Sequence, residues 1–269
     1  MPPQRRRLDA ELVRRKIARS REQAVEMIKA GRVTVGGFPA RKPATVVEPE
    51  VSIRVEESEE DKWASRGAHK LLGALEAFDV SLEGKKVLDG GASTGGFTDV
   101  CLQHGAREVL SVDVGYGQLL WRLQNDERVT VMDRTNIRHL TPEMCNGLCD
   151  AMVGDLSFIS LKLVLPAIAE CMAEGAFLLP MVKPQFEVGK ERLGHGGVVK
   201  SPELRKEVTR DVADFAQTLG LSVRGVAASP LPGPSGNVEY FLWLVKDQLV
   251  TPPEQLEEMI TSAIAKGPQ

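Results

Sequence analysis

Between Lys85 and Phe97 the sequence reads KKVLDGGASTGGF. An apolar run ends in Asp89, a loop follows with Gly90, Gly91, Gly95 and Gly96, and GFTDVCLQHG then continues with helical character. Val87 and Leu88 have the pattern of a buried parallel strand end. Strand, glycine-dense turn and helix together form a cradle for a nucleotide cofactor. Glycines permit positive φ and close backbone approach, and a helix start offers unpaired N–H groups. No register supplies the G-x-G-x-x-G of a dinucleotide site, because Asp89 and Thr94, or Ala92, fall where glycines are required. The spacing present is Asp89-x-Gly91-x-x-x-Gly95, and a tight turn without a ligand is its plain alternative. Further runs also end in ionisable residues: REVLSVDVG in Asp113, RVTVMDRTNI in Asp133, DAMVGDLSFIS in Asp155 and GAFLLPMVKPQF in Lys183, with Glu239 opening VEYFLWLV. Independent solvated turns could each carry an acid, but repetition along the carboxyl edge of one sheet is what an open α/β ligand crevice predicts.

Helices must separate these strands. SRGAHKLLGALEAFDV would bury Leu71, Leu72, Leu75 and Phe78, setting Arg66, His69 and Lys70 near its first turn. A lysine there is slightly disfavoured by the helix dipole, so an anionic partner or a function would make sense of Lys70, but a solvated surface lysine is the plainer reading of the sequence alone. LKLVLPAIAECM and PELRKEVTRDVADFAQTLG read as further helices. The glycine-rich, basic FEVGKERLGHGGVVKS between strand and helix is a candidate lid or substrate rim, and EQLEEMITSAIAK reads as a terminal amphipathic helix of lesser consequence.

Ahead of this body lies a different kind of sequence. Met1 to Val47 holds twelve bases against four acids, a charge of +8, whereas the whole chain stands at −3 and the remainder at −11. The split points to a small polyanion-binding module joined to an acidic body. Leu8, Leu12, Val13 and Ile17 keep helical spacing, with Asp9 as a cap. Ser20 opens a second helix with Gln23 as its capping-box partner, and RVTVGGFPA reads as a hairpin about Gly36-Gly37. The acidic EPEVSIRVEESEEDKWA then gives a last strand and a linker, whose acids would keep it off a polyanion and whose Trp63 could anchor a joint. The boundaries expected are 1–60 for the small α+β domain, 61–66 for the linker and 67–269 for the large domain.

At 269 residues and 42% hydrophobic content the chain can bury a sizeable core. It has no apolar run near the roughly 20 residues that span a bilayer, and no signal-peptide core follows the basic start. A cytoplasmic protein is expected. Cys101, Cys145, Cys149 and Cys171 are scattered as free thiols; Cys145 and Cys149 look like half a zinc site, yet no second pair sits at suitable spacing, so no metal is expected.

The motifs together carry a resemblance. RLDAELVRRKIARSREQAVEMIKAGRVTVGG closely resembles the RNA-binding domain first described in a small-subunit ribosomal protein, which would give Arg5, Arg7, Arg14, Arg19 and Arg21 a place against RNA phosphates. Arg66 joins them as an RNA-binding candidate. The Asp89 loop resembles the first motif of S-adenosylmethionine-dependent methyltransferases. Lys70, Asp155, Lys183 and Glu239 resemble the Lys-Asp-Lys-Glu tetrad of FtsJ-type ribose 2'-O-methyltransferases. With SRGAHKL, DLSFISL, VKPQFE and SPLPGPSGNVEYFLW the similarity runs over essentially the full chain, to the hemolysin A family of bacterial rRNA methyltransferases. One departure is Asp89-Gly90-Gly91 in place of the family's Asp-Ala-Gly, which would add freedom to the turn.

The resemblance implies a class-one, Rossmann-like α/β methyltransferase domain with a seven-stranded mixed sheet, using S-adenosyl-L-methionine. Asp89, Gly91, Ala92, Ser93, Thr94, Gly95, Gly96 and Phe97 would hold the amino acid end of the cofactor, Asp113 and Val114 its ribose, and Asp133 and Arg134 its adenine. Its substrate would be the cytidine 2'-hydroxyl of 16S or 23S rRNA within ribosomal subunits, acted on by a monomer. By the same analogy, loss of the methyl group would alter sensitivity to cyclic peptide antibiotics. Lys183 would be the base, aided by partial burial and the nearby charge of Lys70; Asp155 would orient it, and Glu239 would fix Lys70 against the hydroxyl. Rival readings are a ribosome-assembly factor that binds RNA without catalysis, a membrane-active haemolysin, and a pseudouridine synthase sharing the small module. The complete tetrad opposes the first, the lack of spanning segments the second, and the Asp-x-Gly cradle the third.

Overall fold

The computed structural model describes residues 5–18, 20–56, 62–233 and 235–267, and the chain divides into two compact units, Met1–Lys62 and Trp63–Gln269. The first begins with β1 (Arg6–Arg7), α1 (Leu8–Arg14) and α2 (Arg21–Lys29). Then come β2 (Val33–Val35), β3 (Phe38–Pro39), β4 (Val46–Val47) and β5 (Ile53–Val55). Ser20 caps α2, its hydroxyl accepting from the Gln23 N–H at 3.2 Å. Val35 pairs with Phe38, leaving Gly36-Gly37 as a two-residue turn at φ 56° and 88°, the backbone such a hairpin demands. Two-residue β1 pairs with β4 across forty residues of sequence. Asp9 does not cap α1: Arg7 is the capping residue, and the Asp9 carboxylate instead accepts from the Ala10 N–H and from Arg7. Residues 57–61, the acidic approach to the expected linker, lie outside the described residues.

The second unit takes in more than expected at its start. Trp63 packs against its core and the Ala64 N–H donates to buried Asp99 at 2.7 Å, so residues 63–66 belong to this unit. The unit opens with α3 (Ala68–Phe78), β6 (Lys86–Gly90), α4 (Gly96–Gln103), β7 (Glu108–Val112), α5 (Trp121–Gln124) and β8 (Val129–Met132). It continues through β9 (Cys149–Gly154), α6 (Leu165–Glu170), β10 (Met172–Val182), α7 (Pro184–Glu187), α8 (Pro202–Thr218), β11 (Leu221–Ala228), β12 (Tyr240–Lys246) and α9 (Pro253–Lys266). Its seven strands form one sheet in the order β11-β12-β10-β9-β6-β7-β8, with β12 antiparallel to both neighbours. The fold is therefore α/β with a mixed seven-stranded sheet, as the motifs predict.

Successive strand residues face opposite layers. Val87, Val109, Val153 and Leu179 join Leu71, Leu75, Phe78 and Val100 from α3 and α4 on one face. Leu88, Leu110, Met152 and Leu178 meet Ile168, Val212 and Ala216 on the other. Burial on both faces explains the near-continuous apolar strands of the sequence. The terminal helix is corrected from lesser consequence to a core element, because Leu256, Ile260, Ala263 and Ile264 of α9 enter the second layer. Gly90 is likewise corrected: it is the last residue of β6, paired with Val112 and Gly154, so it is not part of the turn and adds no freedom there.

Candidate functional site

The carboxyl ends of β6, β9 and β10 and the start of β12 converge on one place. Lys183, fixed in extended backbone by the following proline that opens α7, sets its Nζ 2.5 Å from Asp155 Oδ1 and 2.7 Å from Ser157 Oγ. Lys70, in the first turn of α3, sets its Nζ 2.6 Å from Glu239 Oε2 and 3.8 Å from Asp155 Oδ2. All four tetrad residues are thus joined in one chain of contacts. The anionic partner that the helix dipole called for at Lys70 is Glu239. Two lysine amines thus face two carboxylates, with Lys70 nearest to Glu239 and Lys183 nearest to Asp155.

Beside this cluster the glycine loop forms a cleft of about 670 Å³, lined by Gly91 to Thr94, Gly96, Phe97, Lys70, Asp155 and Lys183, together with Arg66, Ser157 and the Leu231–Gly233 segment. Gly91 stands at φ 81°, and a Cβ there would lie 2.9 Å from the Asp155 carbonyl oxygen, so no side chain fits. Gly95 caps α4 in a left-handed conformation at φ 98°. Asp89 lies beneath the loop, fully buried. Its Oδ2 accepts from Thr98 Oγ1 at 2.6 Å, while Oδ1 has no hydrogen-bond donor among the described residues. Burial, reinforced by neighbouring Asp155, pushes its carboxyl up to about 7.

The other expected cofactor residues stand outside the lining of that cleft. Asp113 braces the loop, its Oδ2 accepting from the Ser93 N–H at 2.8 Å and its Oδ1 from the Gly115 N–H at 2.7 Å. Asp133 accepts from the Gly117 N–H at 2.8 Å, Val114 is exposed, and the Arg134 guanidinium lies 4.2 Å over the Tyr116 ring.

A second cavity, about 790 Å³, also has this lysine in its lining. Ser157 and Lys183 border both spaces; Arg138, Gln185, Lys190, Asn237 and Glu239 line only the second. Phe158, exposed and at φ 63°, stands at its mouth with its ring centroid 5.1 Å from that of Phe186. Lys190 and Gly196-Gly197 bring the loop expected as lid or rim to this cavity's wall.

Compared with known proteins, residues 63–246 match the FtsJ-like methyltransferase family. The chain belongs to the FtsJ-like methyltransferase family. Residues 6–53 match the S4 domain. The chain is 56% identical to the 16S/23S rRNA (cytidine-2'-O)-methyltransferase TlyA of Mycobacterium tuberculosis, over 98% of this chain and 99% of that protein. It is 35% identical to Hemolysin A of Brachyspira hyodysenteriae, over 82% and 92% respectively. A solved structure of a hemolysin-named protein from Streptococcus thermophilus, 36% identical, superposes with a TM-score of 0.76 over 99% of this chain and 98% of that one. Among the described residues no helix is long and apolar enough to cross a membrane, and no group of three or more His, Cys, Asp or Glu is disposed to hold a metal ion. Like other members of the FtsJ-like family, this chain is an enzyme, a methyltransferase with an S4 domain ahead of it.

In the S4 domain most of the expected arginines are paired. Arg7 and Arg21 bind Asp9, Arg14 binds Glu11, and Arg5 binds Glu48 on the surface. Arg19 lies outside the described residues. The hydrogen bonds from Arg7 and Arg14 hold the buried Asp9 and Glu11 carboxyls at about 2, far below the usual range. Arg15, not among the candidates, is a structural residue that binds Glu11 and the carbonyls of Pro49 and Val51.

Three functional neighbours of the methyltransferase site escaped the sequence reading. Asp99 ties residue 64 and Arg122 to α4; its one signal was an acid inside the otherwise apolar GFTDVCL. Ser157 and Gln185 gave none, being ordinary polar residues whose relevance comes only from the strand ends beside them.

Proposed function

We propose that this chain, acting as a cytoplasmic monomer, transfers a methyl group from S-adenosyl-L-methionine to the ribose 2'-hydroxyl of cytidine in 16S and 23S rRNA. The observation that carries this reading is that Lys183 lines two spaces, the glycine-loop cleft and the cavity that Phe158 and Phe186 also line.

The cleft's residues fit such a cofactor. Gly91 leaves room that a Cβ would fill, and Asp89 keeps a buried oxygen in want of a donor, which a cationic amino group would satisfy. Asp113 retains lone pairs on both oxygens for ribose hydroxyls. When bound, S-adenosyl-L-methionine supplies an electrophilic methyl on a sulfonium centre.

The remaining work falls to side chains. Lys183 Nζ takes the proton from the ribose hydroxyl as its oxygen becomes the nucleophile, and Asp155 at 2.5 Å stabilises the ammonium that results. Ser157 steadies the amine from the other side. Lys70, held by Glu239, donates toward the same oxygen and fixes the direction of its lone pair. Near-complete burial of both lysines keeps water from competing for the methyl. The half-exposed arginines of the S4 domain bind phosphates and position the RNA.

Ribosomal subunits lacking ribose methylation, incubated with this protein and labelled S-adenosyl-L-methionine, should acquire label at cytidine 2'-oxygens, read by mass spectrometry of nucleosides. Label confined to bases, or none on either subunit, would refute the reading.

A further inference from the structure

Among the described residues lining the second cavity, Gln185 alone has a buried side-chain oxygen without a hydrogen-bond partner. Its Nε2 donates to Glu239 Oε1 at 3.3 Å, which fixes the amide's orientation, because a carboxylate repels the carbonyl end. The carbonyl oxygen Oε1 is therefore turned away from Glu239. It is buried, and among the described residues no donor reaches it. A buried acceptor left unmatched is costly, so a donor that reaches this oxygen is bound with a gain.

Which donor that is follows from counting, given the proposed reaction on which this step rests. A cytidine inside an RNA strand, its 3'-oxygen esterified, carries two kinds of donor: the 2'-hydroxyl and the 4-amino group. The single proton of the 2'-hydroxyl is committed to Lys183. The 4-amino group remains. Uracil presents a carbonyl at that position, which would set two acceptors against each other, a mismatch that a site built for a donor rejects strongly.

The geometry points to Gln185 as the specificity residue of the acceptor cavity, accepting a hydrogen bond from the 4-amino group of the target cytidine and so separating cytidine from uridine. The neighbouring features agree. Phe158 and Phe186 offer ring faces to a base at the cavity mouth, and Glu239 links base recognition to Lys70 in one contact chain. Glu239 thus serves both the amide that reads the base and the lysine that steers the sugar oxygen.

The test compares ribosomal subunits carrying the target cytidine with subunits in which it is replaced by uridine, using wild-type protein and Gln185→Met, which keeps the side-chain volume and removes the acceptor. Wild type should methylate the cytidine subunits faster by roughly ten- to a hundredfold in kcat/KM, the range of one good base contact. In Gln185→Met that ratio should collapse toward one, with uridine gaining relative to cytidine. Equal wild-type rates on the two substrates would overturn the assignment without any need for the variant to fold. A variant that slows both substrates equally and keeps the ratio would overturn it too, reducing Gln185 to a prop for Glu239. Absence of transfer to either substrate by wild type would remove the ribose reading itself, and this assignment with it. Transfer that ignores the base removes only the latter.

Discussion

Both units join basic side chains to buried carboxylates, and they do so with opposite exposure. In the first unit Asp9 and Glu11 are buried while the side chains of Arg7, Arg14 and Arg21 stay 51%, 46% and 57% exposed. In the second, Lys70 and Lys183 are each 7% exposed and Glu239 only 1%. A carboxylate holding an arginine from below leaves the outer face of the guanidinium available, preorganised for a phosphate at little entropic expense. A lysine buried beside its carboxylate is removed from the surface field and is left for proton transfer and hydrogen bonding within the cleft it lines. The exposure of the cation, more than its pairing, separates a binding surface from a reaction centre.

The largest expected break in this contrast comes from Lys183→Ala, which should lower single-turnover methyl transfer by about 10²- to 10⁴-fold while cofactor affinity, measured by calorimetry, stays within a few-fold. Next, Glu239→Leu leaves Lys70 buried without its partner and should destabilise the protein by about 3–5 kcal/mol in urea unfolding. Adding Lys70→Met should recover most of that loss while the enzyme remains inactive, separating what the pair does for stability from what it does for chemistry.

The two units should also respond to pH in opposite senses. Asp89 has its carboxyl raised to about 7, so its contribution is fully present below the unfolded value near 3.8 and is lost as pH rises through about 7. The cofactor-free enzyme should lose on the order of 4 kcal/mol across that window, and Asp89→Asn should flatten the profile. Asp9 and Glu11, held at about 2, contribute above their ordinary values and lose that contribution only as pH falls toward 2. Thermal melts recorded from pH 3 to 8 would reveal either sign. A rise in stability from pH 4 to 7 would contradict the buried state of Asp89.

Smaller effects sharpen the comparison at the surface. Replacing Arg14 and Arg21 with Gln leaves each acid one arginine, Arg15 for Glu11 and Arg7 for Asp9. The unit should stay folded, while RNA affinity drops and the slope of log affinity against log salt flattens by about 1 to 2. An unchanged slope in filter binding would show that these guanidinium groups meet only solvent. Smallest of all, Glu48→Gln breaks an exposed pair with Arg5 and should shift stability by less than about 1 kcal/mol.

What the sequence made legible follows a pattern. Asp89, Asp113, Asp133, Asp155 and Lys183 could be found because each interrupts an apolar run where a strand must end, and parallel topology sends those ends to one edge. The Ser20 cap and the Gly36-Gly37 turn were legible because both are local. Partnerships set by distant chain segments were not. Two-residue strands such as β1 and β4 have no periodicity to detect. Asp9 looked like a cap because its place near a helix start is local, whereas its second partner, Arg21, is twelve residues away on another helix. The role of α9 was missed because amphipathicity tells that a face is buried without telling how deeply its neighbours enclose it. Gln185 was missed because a half-satisfied amide exists only in three dimensions.

The insertion of β12 between β10 and β11 bears on the enzyme's birth. Glu239 arrives on the strand added last, some fifty residues after Lys183, and its neighbours in the sheet are already synthesised when it emerges. A nascent chain halted before Glu239 would own a complete cofactor loop and Lys183 but lack the nearer carboxylate of Lys70. The lysine cluster is therefore completed only when the last strand of the sheet takes its place between two strands that precede it in the chain.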